Sequence, residues 1–260
     1  MVVPGRKPEE ARSAITFHTN VDIAFSTFSA GNMRFGLSDP RDKKNDRSVV
    51  LGNRRRLFRE LGFDGSRVAW MATRMAGMVH CVVSKDLGSG RLSHEDGVPC
   101  DAIFSDIPGS VVGLLPADCA PVMVFHKSAL WGIVHAGRPN AHVVIENSIE
   151  WLVRQGIKLE NVTAILGPTI RPLTYFFPNG KEAYIAEQLH DESWKQFITA
   201  ESGGHRVDLP GYVRSLLLAG GILPGHFVDL GLDTADGFFS NALKNKRGID
   251  GRHASLIGQM

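Results

Sequence analysis

The stretch "LPADCAPVMVFHKSALWGIVHAG", residues 115–137, holds two apolar runs joined by a short polar link, with Cys119 near one end and His135 near the other. "PVMVF" and "ALWGIV" have the β-branched and aromatic content of strands. The link "HKS" has the length of a hairpin turn. A turn centred on Lys127 sets Cys119 opposite His135; a centre half a residue away sets it opposite Ala136. Cross-strand partners have Cβ atoms about 4.5–5.5 Å apart, so the spacing predicts neighbouring thiol and imidazole groups. Beyond His135 the chain runs through "AGRPN", with Pro139 suited to the first turn of a helix read over "NAHVVIENSIEWLVRQG". That helix start would aim unpaired N–H groups at the same place, which suits a phosphate or a thiolate. Asp118, beside Cys119, is positioned either to orient His135 or to cap the turn "PADC". The pair is equally suited to a thiolate–imidazole nucleophile or to two ligands of a metal.

Working outward, "DRSVVLGNRRRLFRELGF" reads as a helix with Asp46 as N-cap, Gly62 as stop, and Val50, Leu57 and Leu61 on its inner face. Its arginines, Arg54, Arg55, Arg56 and Arg59, read as a solvated face, since no aromatic stacking platform accompanies them. "SRVAWMATRMAGMVHCVV" reads as strand, loop, strand; "SVVGLL", "VTAILGP" and "HFVDLGLDT" read as further strands. The helix after His135 carries an apolar stripe of Ile145, Ile149, Leu152 and Val153. "GYVRSLLLAGGI" is a helix ending at Gly220-Gly221, and "KNKRGIDGRHASLIGQM" a basic loop followed by a short strand. Short strands mixed with a few helices predict an α+β or mixed α/β protein.

At 260 residues, with 43% hydrophobic and 22% charged residues, the chain has the composition of a globular protein with ample core. The expected organisation is a loose tail over residues 1–13 and one domain over 14–260. A formal net charge of +2 gives no global field for nucleic acid or an anionic membrane. No apolar run approaches the ~18 residues that span a bilayer. "MVVPGRKPEEARS" lacks the apolar region of a signal peptide, so the expected location is the cytoplasm. Three cysteines, Cys81, Cys100 and Cys119, do not make a disulfide scaffold, and without a CxxC pair they do not make a four-thiolate zinc site. Ten histidines without an HxH pair speak against a multicopper centre. No GxGxxG or GxxxxGK[ST] motif marks a nucleotide site.

The motifs "ADCAPV" (117–122), "HAGRPN" (135–140) and "GRHASLI" (251–257) resemble the ADCxPV, HAGWRG and GRxASLI patterns of the multicopper polyphenol oxidase or laccase-domain family, which includes YfiH- and YlmD-like proteins. Weaker echoes, in the family's order, are "FSTFSAG", "GNRRRLFRELG", "DAIFSD", "LGPTI" and "DTADGFFS". The resemblance implies one domain of layered mixed β-sheets flanked by helices, similar to the deamidase domain of cytotoxic necrotizing factor toxins. It implies zinc on two histidines and a cysteine, and it implies purine nucleoside phosphorolysis or adenosine deamination. Cys119 and His135 match two of the ligands. The family's first histidine, in QVHG, is Ala76 here, within "RMAG". The tryptophan and arginine of HAGWRG are Arg138 and Pro139, the cysteine after GP is Thr169, and the arginine after FST is Phe28. His80, and by motif proximity His253, are the candidates for the missing ligand. Arg138 and Arg252 are the candidates for meeting phosphate.

Three functions are compatible with these residues: a zinc-dependent nucleoside-processing enzyme, a metal-free cysteine hydrolase or amidase using Cys119 and His135, and a binding protein that kept the fold without the reaction. Copper fits least.

Overall fold

Strands buried on both faces build the architecture. The computed structural model describes residues 13–36, 46–127 and 130–259; the expected N-terminal tail lies outside these except for Ser13. In chain order the early elements are β1 (Ala14–His18), β2 (Asp22–Ser26), α1 (Arg47–Leu61), β3 (Val68–Ala72), β4 (Val79–Cys81), β5 (Val98–Pro99), β6 (Ala102–Ser105) and β7 (Val111–Leu114). The central hairpin follows as β8 (Ala120–His126) and β9 (Leu130–Ala136), then α2 (Ala141–Arg154) and β10 (Val162–Leu166). The rest is β11 (Phe176–Pro178), α3 (Ala186–His190), β12 (Ile198–Glu201), β13 (Gly204–Val207), α4 (Leu209–Ala219), β14 (Phe227–Asp229), α5 (Lys244–Arg247) and β15 (Ser255–Gly258).

Two mixed six-stranded sheets, β1-β2-β15-β7-β3-β5 and β14-β10-β8-β9-β6-β4, pack face to face, and β11-β13-β12 form a small third sheet. Between the large sheets lie Ile23, Phe25, Met71 and Ile257 from the first and Ile103, Met123, Ile133 and Ile165 from the second. The alternate residues point outward on each side. Ala24, Val68, Trp70 and Leu256 meet Leu57 and Phe58 of α1; Phe104, Val122, Val134 and Ala164 meet Val144 and Ile145 of α2 and Val213 of α4. The order of layers is therefore helix, sheet, sheet, helices: the α+β class expected. Strands covered on both faces carry continuous apolar runs rather than alternating ones, as "LWGIVHA" does with every residue buried.

The caps of α1 are those read from the sequence. Asp46 accepts a hydrogen bond from the Ser48 N–H at 2.7 Å, and Gly62 closes the helix in the left-handed conformation at φ 77°. Three expectations are corrected. Arg54 does not face solvent: it is 2% exposed, stacked against the Phe35 and Trp70 rings at 4.4 and 4.6 Å, and its Nε donates to the Met33 carbonyl at 2.7 Å. The aromatic partners lie far away in sequence, which is why the helix alone shows no platform. On α2, Val153 is exposed, and the buried stripe runs through Ala141, Val144, Ile145, Ser148 and Leu152. Ser148 is tolerated there because its hydroxyl donates back to the Val144 carbonyl at 2.6 Å. Within the C-terminal basic segment, residues read as loop include the short helix α5.

Candidate functional site

The hairpin forms, in a register one residue along each strand from that expected. His126 pairs with Leu130, Pro121 with His135 and Ala120 with Ala136, so the next level sets Cys119 opposite Gly137. Cys119 and His135 are thus diagonal neighbours on one face, at the end of the gap between the sheets. Such Cβ atoms lie about 7 Å apart. Gly137 makes the closeness concrete. A Cβ placed on it would meet Cys119 Sγ at 2.9 Å, Asn140 Oδ1 at 3.1 Å and Met75 Cε at 3.1 Å. Only a residue without a side chain lets these three groups share the spot.

His135 is 6% exposed, and its Nδ1 is buried with no hydrogen bond among the described residues. Burial pushes the ring's pKa down to about 4, against the pull of Asp101, so the imidazole is neutral at pH 7. Burial and the neighbouring Asp118 push the Cys119 thiol up to about 11, opposed by the charges of Arg252 and Arg138. The resting pair is therefore a thiol and a neutral imidazole.

Asp101 stands beside His135, immediately before β6, its carbonyl accepting from the His135 N–H at 2.8 Å. Its carboxylate is the hub of the loop between β3 and β4. Oδ1 accepts from the N–H groups of Arg74 and Met75 at 2.8 and 2.7 Å; Oδ2 accepts from those of Ala76 and Met78 at 2.8 and 3.3 Å. Curling four amides around one carboxylate makes a nest and puts Met75 at φ 58°, the sole non-glycine residue with positive φ among those described. The loop is further tied to α2 by Asn147, whose Nδ2 donates to the Gly77 carbonyl at 2.8 Å. Asn140 completes the frame at the start of α2: its Oδ1 accepts from the Gly137 N–H at 2.8 Å and its Nδ2 donates to the His135 carbonyl at 3.1 Å. Pro139 sits in the turn before the helix rather than in its first turn.

The other candidates fall into two groups. Arg138 and Arg252 are close enough for their charges to act on Cys119. Arg138 donates from Nε to the Tyr175 hydroxyl at 3.1 Å and from Nη1 to Gln188. Arg252 donates from Nη1 to Asp250 at 2.8 Å. Arg34, which no motif marked, adds a third positive charge near both Arg252 and His135. By contrast, Asp118 does not orient His135. Its carboxylate accepts from Thr234 Oγ1 at 2.8 Å and from the Ala242 N–H at 2.7 Å, and its carbonyl accepts from Thr169 Oγ1 at 2.8 Å. Its role is to bind the "PADC" turn to the segments behind it.

His80 is also elsewhere. It lies on β4, two strands from β9, a lateral offset of about 10 Å, and its Nε2 is 2.8 Å from the Asp86 carboxylate. A zinc–nitrogen bond of about 2.0–2.1 Å cannot be shared across that gap. His253 is fully buried against the Phe238 ring, 5.3 Å between centroids. Ala76 offers no donor, and no group of three His, Cys, Asp or Glu side chains suited to a metal occurs among the described residues. The residues present therefore supply two of the three donors that zinc would need, Cys119 Sγ and the imidazole of His135, and do not complete the set.

Layered mixed sheets flanked by helices define the protein as one of the α+β class, a fold it shares with solved relatives. Residues 22–260 match the multi-copper polyphenol oxidoreductase laccase family, to which the chain belongs. It is 28% identical over 239 residues to the purine nucleoside phosphorylase YlmD of Geobacillus stearothermophilus, covering 89% of this chain and 84% of that one. It is 30% identical over 185 residues to the purine nucleoside phosphorylase ORF3 of Streptomyces griseus, covering 70% and 71%. The crystal structure of Geobacillus stearothermophilus YlmD superposes with a TM-score of 0.81 at 26% identity, covering 97% of this chain and 98% of that one. That of Bacillus licheniformis YfiH superposes with 0.79 at 23% identity and the same coverage. No helix among the described residues is long and apolar enough to cross a membrane.

Proposed function

We propose that the chain processes purine nucleosides at the Cys119/His135 site, with inorganic phosphate as the second substrate. The observation that carries this reading is the buried, unpartnered imidazole of His135 beside Cys119, in a chain whose relatives bear phosphorylase names. In phosphorolysis a phosphate oxygen forms a bond to the sugar C1′ while the bond from C1′ to the base breaks, giving free base and ribose 1-phosphate. Arg34, Arg138 and Arg252 supply a positive flank for the phosphate and for charge that develops on its oxygens.

The directions of the two shifts oppose a resting thiolate–imidazolium couple at Cys119 and His135. A thiolate–imidazolium couple needs the cysteine shifted down and the histidine shifted up. Burial moves both the other way here. Cys119 and the imidazole of His135 would be the two protein donors toward a metal ion, which would supply Lewis-acid chemistry at the site.

The test is incubation of the purified chain with adenosine or inosine and phosphate, with and without added metal, against Cys119→Ala. Release of base and ribose 1-phosphate that vanishes in the variant supports the reading. No release under any metal condition overturns it.

A further inference from the structure

α1 carries positive charge that its surroundings do not balance. Arg54 is buried and Arg56 donates to the Ala30 carbonyl at 2.9 Å, but Arg55 and Arg59 stand exposed one turn apart. No residue three or four positions from either is acidic. Like charges at that spacing repel each other. The arginines that form ion pairs among the described residues are Arg154, Arg171, Arg206 and Arg252.

What faces the two free guanidinium groups is set by their buried neighbour. Arg54 Nη1 donates to the carbonyls of Gly90 and Arg91 at 2.7 and 3.3 Å, which pins the loop before β5 against α1. A cavity of about 400 Å³ lies there, of the size that holds small ligands. Arg91 joins Arg55 and Arg59 in its wall. Asp64 is the one carboxylate in that wall among the described residues. The charge of Arg91 reaches Asp64 without an ion pair. The Asp64 oxygens instead accept from the Ser66 N–H at 2.8 Å and from the Ser66 hydroxyl. Three exposed arginines therefore share one carboxylate that is already engaged.

The rest of the lining is largely apolar. Phe58 and Phe63 form a ring pair, 4.9 Å between centroids, and Phe63 is partly exposed. Leu51 and Leu92 extend that surface, Leu92 at 45% exposure. Guanidinium forks bind phosphate oxygens, and three forks match an anion with three terminal oxygens better than a carboxylate, which one fork satisfies. An aromatic surface beside arginines takes a nucleobase by stacking. We propose that the cavity between α1 and the loop before β5 binds a mononucleotide, its phosphate on Arg55, Arg59 and Arg91 and its base against Phe63. The site lies on the α1 side of the first sheet, whereas His135 stands in the second, so the proposal does not rest on the function proposed above.

The test is isothermal titration of the purified full chain with uridine monophosphate, a pyrimidine probe that stays apart from the purine chemistry of the other site. Uridine, inorganic phosphate and a single-stranded oligouridylate are titrated separately. The expected result is one uridine monophosphate per chain, bound at least tenfold more tightly than uridine and not displaced by phosphate at equal concentration. Arg55→Gln and Arg59→Gln, both at exposed positions and checked for unchanged melting temperature, should each weaken it at least fivefold. Phe63→Leu should weaken it about fivefold through lost stacking. Cys119→Ala should bind the probe as the wild type does. The proposal is overturned by no binding, by unchanged affinity in both arginine variants, or by loss of binding in Cys119→Ala. Uridine bound as tightly as its monophosphate, or displacement by equal phosphate, also overturns it. Oligouridylate bound more than tenfold more tightly, with the same dependence on Arg55 and Arg59, overturns it in favour of a nucleic-acid strand.

Discussion

Replacing Gly137 by alanine probes the packing of the site with one methyl group. The backbone at Gly137 is not in the left-handed region, so alanine meets no conformational barrier there. Any effect comes from contacts: the new Cβ would stand 2.9 Å from Cys119 Sγ and 3.1 Å from both Asn140 Oδ1 and Met75 Cε. Met75 can retreat, being half-exposed and flexible. Asn140 and Cys119 cannot do so freely, since Asn140 bridges Gly137 and His135 and Cys119 is anchored by the strand end. Overfilling a packed site of this kind costs about 1–3 kcal/mol. For a chain of this size that is a fall in melting temperature of about 2–4 °C per kcal/mol. Thermal denaturation of wild type and Gly137→Ala measures it, with the alkylation rate of Cys119 followed alongside. The reasoning predicts a lower melting temperature together with an altered Cys119 rate. An unchanged melting temperature with unchanged labelling would refute the placement of these three groups around Gly137.

Further outcomes follow from the same geometry. Asp101→Asn leaves loop amides facing an NH2 group and should cost about 1–3 kcal/mol in urea unfolding, with faster amide exchange at residues 74–78. Burial pushes the Asp101 carboxyl up, but its amide bonds bring it below the usual range overall, so it stabilises the fold above the ordinary carboxylate pKa and that contribution is lost as pH falls through the depressed one. His253, held neutral by burial with its pKa lowered to about 3, contributes stability that is complete above pH 6.5 and declines as pH falls from 6.5 toward 3. Urea midpoints should therefore fall as pH is lowered through that range, and fall less steeply in His253→Leu, where the lowered His135 and His94 still contribute. Arg54→Ala removes a buried guanidinium stacked on Phe35 and Trp70 and should destabilise by about 3 kcal/mol, and Arg54→Lys should recover less than half, since an ammonium cannot reproduce the planar stack or its fork of donors.

The parts of the molecule legible in the sequence are those governed by local rules. The Asp46 and Gly62 caps of α1 and the paired strands of the hairpin depend on side chains a few residues apart, and they stand where the residues predict them. The hairpin register differed because a period of two residues fixes which face a side chain takes, not how far along the partner strand it sits. Pairing Cys119 with His135 or with Gly137 keeps the same side chains inside the sheets, so hydrophobic pattern does not choose between them. The extra pair His126 with Leu130 decides it. The site's other features depend on distant contacts. Nothing near Met75 in the chain announces a left-handed conformation; it follows from a carboxylate at Asp101, in the turn before β6. The burial of Arg54 follows from Phe35 and Trp70 in the same way. β1 and β2, which pair Ile15 with Phe25 and Phe17 with Ile23, did carry a signal in the β-branched and aromatic alternation of "AITFHTNVDIAFS".

The central claim is that nucleoside is handled at the end of the β8/β9 hairpin, against Cys119 and His135. The most direct measurement is the alkylation rate of each cysteine, mapped by mass spectrometry, with and without inosine and phosphate. The account predicts that the two ligands together slow labelling at Cys119 and leave the distant Cys81 unchanged. Equal labelling of Cys119 with and without saturating inosine and phosphate, in protein shown to bind them, would contradict it and put the nucleoside elsewhere.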